Sequence, residues 1–272
     1  MSAYFTLNQA NPIWFAFIIF IFTACEPSDS SQNQDEPKVE ASPKEEILKE
    51  AKPITTEREY PKLDNSNIER FLTEYFRENR ERRVRVITRV GTLKVRLFDD
   101  TPLHTANFLM MTKRKYFDGT EFIRVAPDFV VQGGSNDSEI EKVKRLLIGS
   151  YTIPPEFKES RLHKKGALSM ARSYENNPDK RSSAYDFFFV HGQKFNEPQL
   201  LAIERDNEMV IPNWKRKMYK TVGGAPHLDN EHTVFGEIYE GLDVLDKMAA
   251  VETDGGEWPI TPLIMQVDVI EE

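Results

Sequence analysis

Short apolar runs, broken by glycines and polar turns, recur along this chain from Arg83 onward and leave little room for helices. Residues 84–88 and 92–97 flank Gly91 and read as a hairpin. Further strand-like runs lie at 122–125, 129–132, 166–171, 187–190, 233–238 and 264–270. Two helical stretches stand among them. One opens at Thr101-Pro102, with Thr as the cap and Pro in the first turn, and extends to about Lys115. The other covers 242–250. Many short strands with so few helices between them predict a mainly β protein closed into an antiparallel barrel. Residues 192–222 break this rhythm, and their helix-like pieces, 197–207 and 212–219, predict a helical insertion on the surface.

The N-terminal part has a different character. Ile13 to Phe22 is the only long apolar run, too short to span a bilayer and of the length of a signal-peptide core. Phe22-Thr23-Ala24-Cys25 resembles a bacterial lipobox, in which the cysteine is acylated and becomes the new N-terminus. Cys25 is the only cysteine in the chain, so no intrachain disulfide can form. Residues 1–24 carry no Lys or Arg, a departure from the basic start of most export signals. The expectation is a lipoprotein signal peptide at 1–24, with lipidation at Cys25. It implies a membrane-anchored protein of a bacterial envelope, on the periplasmic side of the outer membrane. Residues 25–56 are rich in Ser, Pro, Glu, Lys and Gln and predict a disordered tether.

Ile68, Phe71, Leu72, Tyr75 and Phe76 follow helical spacing, which predicts an amphipathic helix over 67–79 within a segment 57–82. Ser66 or Asn65 would cap it, and the run Arg80-Glu81-Arg82-Arg83 would close it. The folded domain proper is then 83–272. A net charge of −8 argues against a nucleic-acid partner, which needs a basic face.

The stretch from Glu121 to Gly134, EFIRVAPDFVVQGG, concentrates chemistry. It reads as two strands around a turn at Ala126-Pro127-Asp128, with Phe122 and Arg124 on one face of the first strand. A cation on a half-buried strand is costly unless something uses it. Arg124, Gln132 and Phe129 can converge on a ligand that has a backbone carbonyl and an apolar ring, such as a prolyl peptide. The histidines, His104, His163, His191, His227 and His232, show no metal-ligand spacing.

The ordered set of segments resembles the cyclophilins, a family of peptidyl-prolyl cis-trans isomerases. It comprises Gly91-Thr92-Leu93, Thr101-Pro102, Asn107-Phe108, residues 116–120, Phe122-Ile123-Arg124-Val125, residues 129–134, Leu168-Ser169-Met170-Ala171, Asp186-Phe187-Phe188 and Val234-Phe235-Gly236. The resemblance covers about 84–271 and implies a closed eight-stranded barrel capped by two helices. It places Arg124 as the catalytic arginine, and Phe129 and Phe188 as the floor of a proline pocket. Val130 and Leu228 become further apolar pocket residues, and Gln132 the amide that meets substrate backbone. Ala171 and Arg172 fall where substrate backbone pairs, although the family commonly has Asn at the second position. Asp186 replaces a usual glutamine, and an aspartate cannot donate as an amide does. It is expected to pair with Arg124 or Arg172, or to repel acidic substrates. His227 stands where cyclosporin-sensitive members have tryptophan, which implies weak cyclosporin binding.

Rotation about a prolyl bond needs no nucleophile, metal or cofactor, so none is expected. The implied function is isomerisation of X-Pro bonds in exported proteins by a monomer acting on proline-containing polypeptides. The alternative is a cyclophilin-like peptide-binding module or chaperone with little turnover.

Overall fold

The structure, a computed structural model, describes residues 60–136 and 138–270. The expected leader, Cys25, the tether and the first residues of the 57–82 segment lie outside them. Chain alternation builds the barrel. β2 (Arg83–Thr88) and β3 (Gly91–Leu97) form the expected hairpin, with Val84, Val86, Leu93, Val95 and Leu97 turned inward. Gly91 is at φ 141, and a Cβ there would lie 2.7 Å from Val244 Cγ2, so glycine lets a later helix seat against the hairpin.

The other barrel strands are β4 (Glu121–Ala126), β5 (Val130–Ser135), β8 (Ala167–Met170), β10 (Phe187–Val190), β11 (Val234–Glu240) and β12 (Leu263–Val269). Their order around the closed barrel is β10-β5-β4-β12-β2-β3-β11-β8, and the pairings are antiparallel. Closure removes the edges an open sheet would expose. The expected eight-stranded barrel is what forms. Inside it, Phe108, Phe117, Phe122, Phe187, Phe189 and Phe235 are fully buried. Phe187 meets Phe108 and Phe117 edge-on, with ring centroids 5.2 and 5.3 Å apart.

Two helices pack on the barrel. α2 (Pro102–Lys113) buries every side chain from His104 to Thr112. Thr101 caps it without a side-chain hydrogen bond to the first turn; the hydroxyl of Thr105 instead donates to Phe98 O at 2.7 Å. α6 (Leu242–Ala249) buries Val244, Leu245, Met248 and Ala249. Between β10 and β11 lie α4 (Glu197–Asp206) and α5 (Asn213–Thr221), which share a small core of Leu162, Leu200, Ile211 and Tyr219.

The N-terminal helix, α1 (Ile68–Glu78), packs on α2, and its Ile68, Leu72 and Tyr75 join the main core. Its cap residue is Asn67, in place of Ser66 or Asn65, because the Asn67 carboxamide accepts from Asp64 N and ties down the preceding turn. The helix ends at Glu78, so the basic run 80–83 lies beyond it, and Arg83 already begins β2. β1 (Leu63–Asp64) pairs in parallel with β6 (Gly149–Ser150), and β7 (Thr152–Ile153) pairs antiparallel with β9 (Ser182–Ser183).

One helix was not foreseen. α3 (Glu139–Ile148) is capped by Ser138, whose hydroxyl accepts from Glu141 N at 3.2 Å. Its apolar Ile140, Val143 and Leu146 are exposed, while Glu141 is buried. The usual correspondence between apolar spacing and a core face is absent, so periodicity gives no reliable sign of it.

Candidate active site

The expected sharing of one face by Phe122 and Arg124 does not hold. Phe122 opposes Gly133 and Arg124 opposes Gln132, so Ile123 is an extra residue on its strand. This β-bulge breaks the alternation. Phe122 and Val125 both enter the core, and Arg124 turns outward. A compensating irregularity on β5 depends on Gly134, at φ 106, where a Cβ would fall 2.3 Å from Tyr185 O. Only glycine fits there.

Outside the barrel, a second apolar cluster gathers Val130, Ala167, Phe188, Val190, Leu228 and Val234, with Phe129 and Ala171 packed on it. It floors a cavity of about 110 Å³ lined by Arg124, Phe129, Val130, Gln132, Ala171, Arg172, Tyr174, Phe188, Leu228 and His232. Residues from distant parts of the chain therefore meet here. His227 borders this group, stacked on Phe129 with centroids 5.4 Å apart. Burial, followed by the nearby His163, holds the His227 pKa below the ordinary imidazole range.

Arg124 reaches over Phe129, with its guanidinium carbon 5.5 Å from the ring centroid. Its Nε donates to Glu257 Oε2 at 2.6 Å. Among the described residues nothing accepts from its terminal nitrogens, and nothing binds the Gln132 amide. Both groups are thus available to a ligand in the cavity.

Asp186 pairs with neither arginine that the sequence offered it. Its carboxylate accepts from Ser135 Oγ at 2.6 Å and from Ser183 Oγ at 2.8 Å, and the nearest cation is Arg145, at 3.8 Å. It belongs to an adjoining groove of about 980 Å³ that shares Gln132, Ala171 and Arg172 with the smaller cavity. Arg145 comes from the unforeseen α3, which is why Asp186 has a partner that motif reading could not supply.

Arg172 is also committed elsewhere. Its Nε donates to Glu231 O at 2.7 Å and its Nη2 to Glu231 Oε2 at 2.6 Å, and its side chain is only 5% exposed. The guanidinium fastens the 172–184 loop to the segment before β11. Ala171 has both backbone groups engaged, N–H to Asp186 O and C=O from Ser183 N. Among the described residues, the amide and carbonyl of Arg172 itself make no hydrogen bond, so the backbone of that residue remains open to a partner strand.

Tyr174 and His232 line the cavity without having been singled out. His232 Nδ1 lies 3.0 Å from Met170 O and so donates to it, while its Nε2 accepts from the Tyr174 hydroxyl at 2.8 Å. Burial is the main force pushing its pKa down, to about 4, so the ring is neutral near pH 7. It meets Phe188 edge-on at 5.3 Å. His163 stacks on the same ring at 6.1 Å and is held between Asp229 and Ser169. The position of His232, just before the Val234 strand, was the one available sequence signal. Among the described residues, no group of three or more His, Cys, Asp or Glu is placed to hold a metal ion.

Comparison with known proteins agrees with this architecture. Residues 83–269 match the family described as cyclophilin type peptidyl-prolyl cis-trans isomerase/CLD. A Streptococcus pyogenes protein named as a bifunctional phosphatase/peptidyl-prolyl cis-trans isomerase is 30% identical over 225 residues, covering 80% of this chain but only 43% of that protein. A Staphylococcus haemolyticus protein named as a peptidyl-prolyl cis-trans isomerase is 29% identical over 199 residues, covering 72% of this chain and 94% of its own. The crystal structure of a cyclophilin type isomerase from Cryptosporidium parvum superposes with a TM-score of 0.50 at 22% identity, covering 71% of this chain and 99% of that one. That likeness concerns the fold.

Proposed function

This chain belongs to the cyclophilin-type peptidyl-prolyl cis-trans isomerase family, and we propose that it isomerises X-Pro bonds in the cavity beneath Arg124. Amide resonance sets a barrier of about 18–20 kcal/mol, and uncatalysed exchange takes tens to hundreds of seconds. Catalysis has to favour the twisted amide, in which the nitrogen lone pair is localised. The terminal N–H groups of Arg124 can donate to that nitrogen, or to the carbonyl region, more strongly in the twisted state than in the planar one. This is differential binding of the transition state by a fixed donor. Phe129, Val130, Phe188 and Leu228 would grip the proline ring while the preceding residue rotates. The Gln132 amide and the open backbone of Arg172 would hold the peptide chain. Each tenfold in rate requires about 1.4 kcal/mol, a size that one charged hydrogen bond plus positioning can reach.

The observation that carries this reading is the placement of a guanidinium with unengaged terminal nitrogens over an apolar cavity whose walls come from separate strands and loops. NMR exchange on an Ala-Pro peptide tests it. Arg124→Ala should lower kcat/KM by about a hundredfold, the usual loss when one transition-state donor is removed. Equal rates above background would overturn Arg124 as the catalytic donor, and a wild-type rate no faster than background would leave the peptide-binding module as the surviving reading.

The cellular setting is also part of the proposal. The short apolar leader and the Phe22-Thr23-Ala24-Cys25 sequence support a lipid anchor at Cys25, a monomer tethered in the bacterial envelope, and exported proteins as substrates. Metabolic labelling with a fatty-acid analogue should mark the wild type and not Cys25→Ala. Equal labelling of both would exclude the anchor.

A further inference from the structure

The guanidinium of Arg124 is held by a residue 133 positions away. Glu257 lies in the turn between α6 and β12, where Asp254 Oδ1 accepts from Gly256 N at 2.8 Å and from Trp258 N at 3.0 Å. A bridge between Thr253 and Pro259 closes the turn, and Glu257 adopts a left-handed φ of 65 within it. This turn touches β4 twice. Glu257 O accepts from Val125 N at 2.8 Å, and Glu257 Oε2 accepts from Arg124 Nε at 2.6 Å. The first contact occupies the strand edge just past the bulge, since β4 pairs with β12 only at Glu121 and Phe122. The second takes the one nitrogen of the guanidinium that branches from the stem.

We infer that Glu257 is a positioning residue for the isomerase reaction: by binding Arg124 at Nε it fixes the guanidinium plane and leaves both terminal nitrogens unengaged at the wall of the cavity.

The chemistry favours anchoring over quenching. A carboxylate facing the two terminal nitrogens would occupy the donors that substrate needs. A carboxylate at Nε leaves them free and restrains rotation about the last side-chain bonds. The arginine stem is long, and without a restraint its donors would spread over many rotamers. Phe129 limits the guanidinium from one side only. The pair is about half exposed, 41% for Arg124 and 45% for Glu257, so it contributes little to folding. An exposed ion pair that adds little stability, yet joins a turn to strand β4 at the reacting group, fits positioning better than scaffolding.

This inference rests on Arg124 being the catalytic donor. The test uses the full chain and peptide exchange, with Arg124→Ala, Glu257→Ala, Glu257→Gln and the Arg124→Ala/Glu257→Ala double variant. Glu257→Ala should lower kcat about tenfold while KM stays within about twofold, as expected for a misplaced donor. Glu257→Gln keeps an acceptor oxygen at the same reach and should recover most of that loss. In the Arg124→Ala background, Glu257→Ala should change nothing further. The Arg124 Nε–Hε proton resonance should move upfield in Glu257→Ala, and Tm should move by no more than about 4 °C. The inference is overturned if Glu257→Ala leaves kcat unchanged or raises it, or if its effect persists in the Arg124→Ala background. Loss with Arg124→Ala but not with Glu257→Ala refutes the positioning role alone. If Arg124→Ala is itself silent, the catalytic reading falls and takes this inference with it.

Discussion

The inner and outer faces of four strands make two apolar regions from one backbone. On β10, Phe187 and Phe189 enter the barrel, whereas Phe188 and Val190 face out. β5 sends Val131 in and Val130 out, β8 sends Leu168 and Met170 in and Ala167 out, and β11 sends Phe235 in and Val234 out. Residue types on the two faces are nearly the same. Inside, α2 and α6 help to complete the cover and rings pack on rings. Outside, the cover is incomplete, and its rim carries Arg124, Gln132, Tyr174 and His232. An apolar residue on a strand therefore says nothing about function until its neighbours across the surface are known. The inner face supplies cohesion, and the outer face spends part of its burial on a cavity.

Substitutions on adjacent residues can break this comparison. Phe187→Ala should destabilise the fold by about 3–5 kcal/mol, the usual cost of emptying an aromatic site in a packed core. Urea unfolding would show it as a lower midpoint with an unchanged slope. A milder loss than that of Phe188→Ala would mean that the two faces do not differ as described.

The outer face should also show a pH signature. His232, held neutral with a pKa of about 4, refuses a proton that the unfolded chain binds near 6.5. Below pH 6.5 the unfolded state then carries more protons, so stability falls as pH drops from about 6.5 to about 4. In full this amounts to about 3 kcal/mol. Above pH 6.5 the contribution is constant. His232→Gln should lose less stability than wild type between pH 7 and pH 4.5, and parallel curves would refute the assignment.

Phe188→Ala sharpens the contrast in the other direction. It should lower kcat/KM at least about tenfold, a loss of about 1.4 kcal/mol in transition-state binding. Peptide exchange and urea melts on the same sample would separate the two effects. Retained activity would remove Phe188 from the proline pocket. The smallest effect is expected at the rim. His227→Trp should change stability by no more than about 0.5 kcal/mol while tightening cyclosporin binding. Sub-micromolar inhibition of the unmodified protein would show that His227 is no obstacle.

Legibility followed the range of the forces involved. The strands on either side of Gly91, the apolar strand run 187–190 and the cap at Thr101-Pro102 are local patterns, and they appear where expected. Ordered motifs also led to Arg124, Phe129, Val130, Gln132, Phe188 and Leu228, which the fold brings to one cavity. The bulge at Ile123 was not legible, because its cause is the register of a partner strand and the close approach at Gly134. Helix α3 escaped because Ile140, Val143 and Leu146 face solvent.

By itself, the amino-acid sequence determined the barrel and the residue types at the cavity, because period-two alternation and turn chemistry act within a few residues of chain. Only the tertiary structure decided how the charges are shared. Arg124 goes to Glu257, Arg172 to Glu231, and Asp186 to two serines with Arg145 nearby. Apart from Ser183, three residues from Asp186, these partners lie more than 40 residues away along the chain, and electrostatic partners are chosen by distance in space, which motif order does not encode.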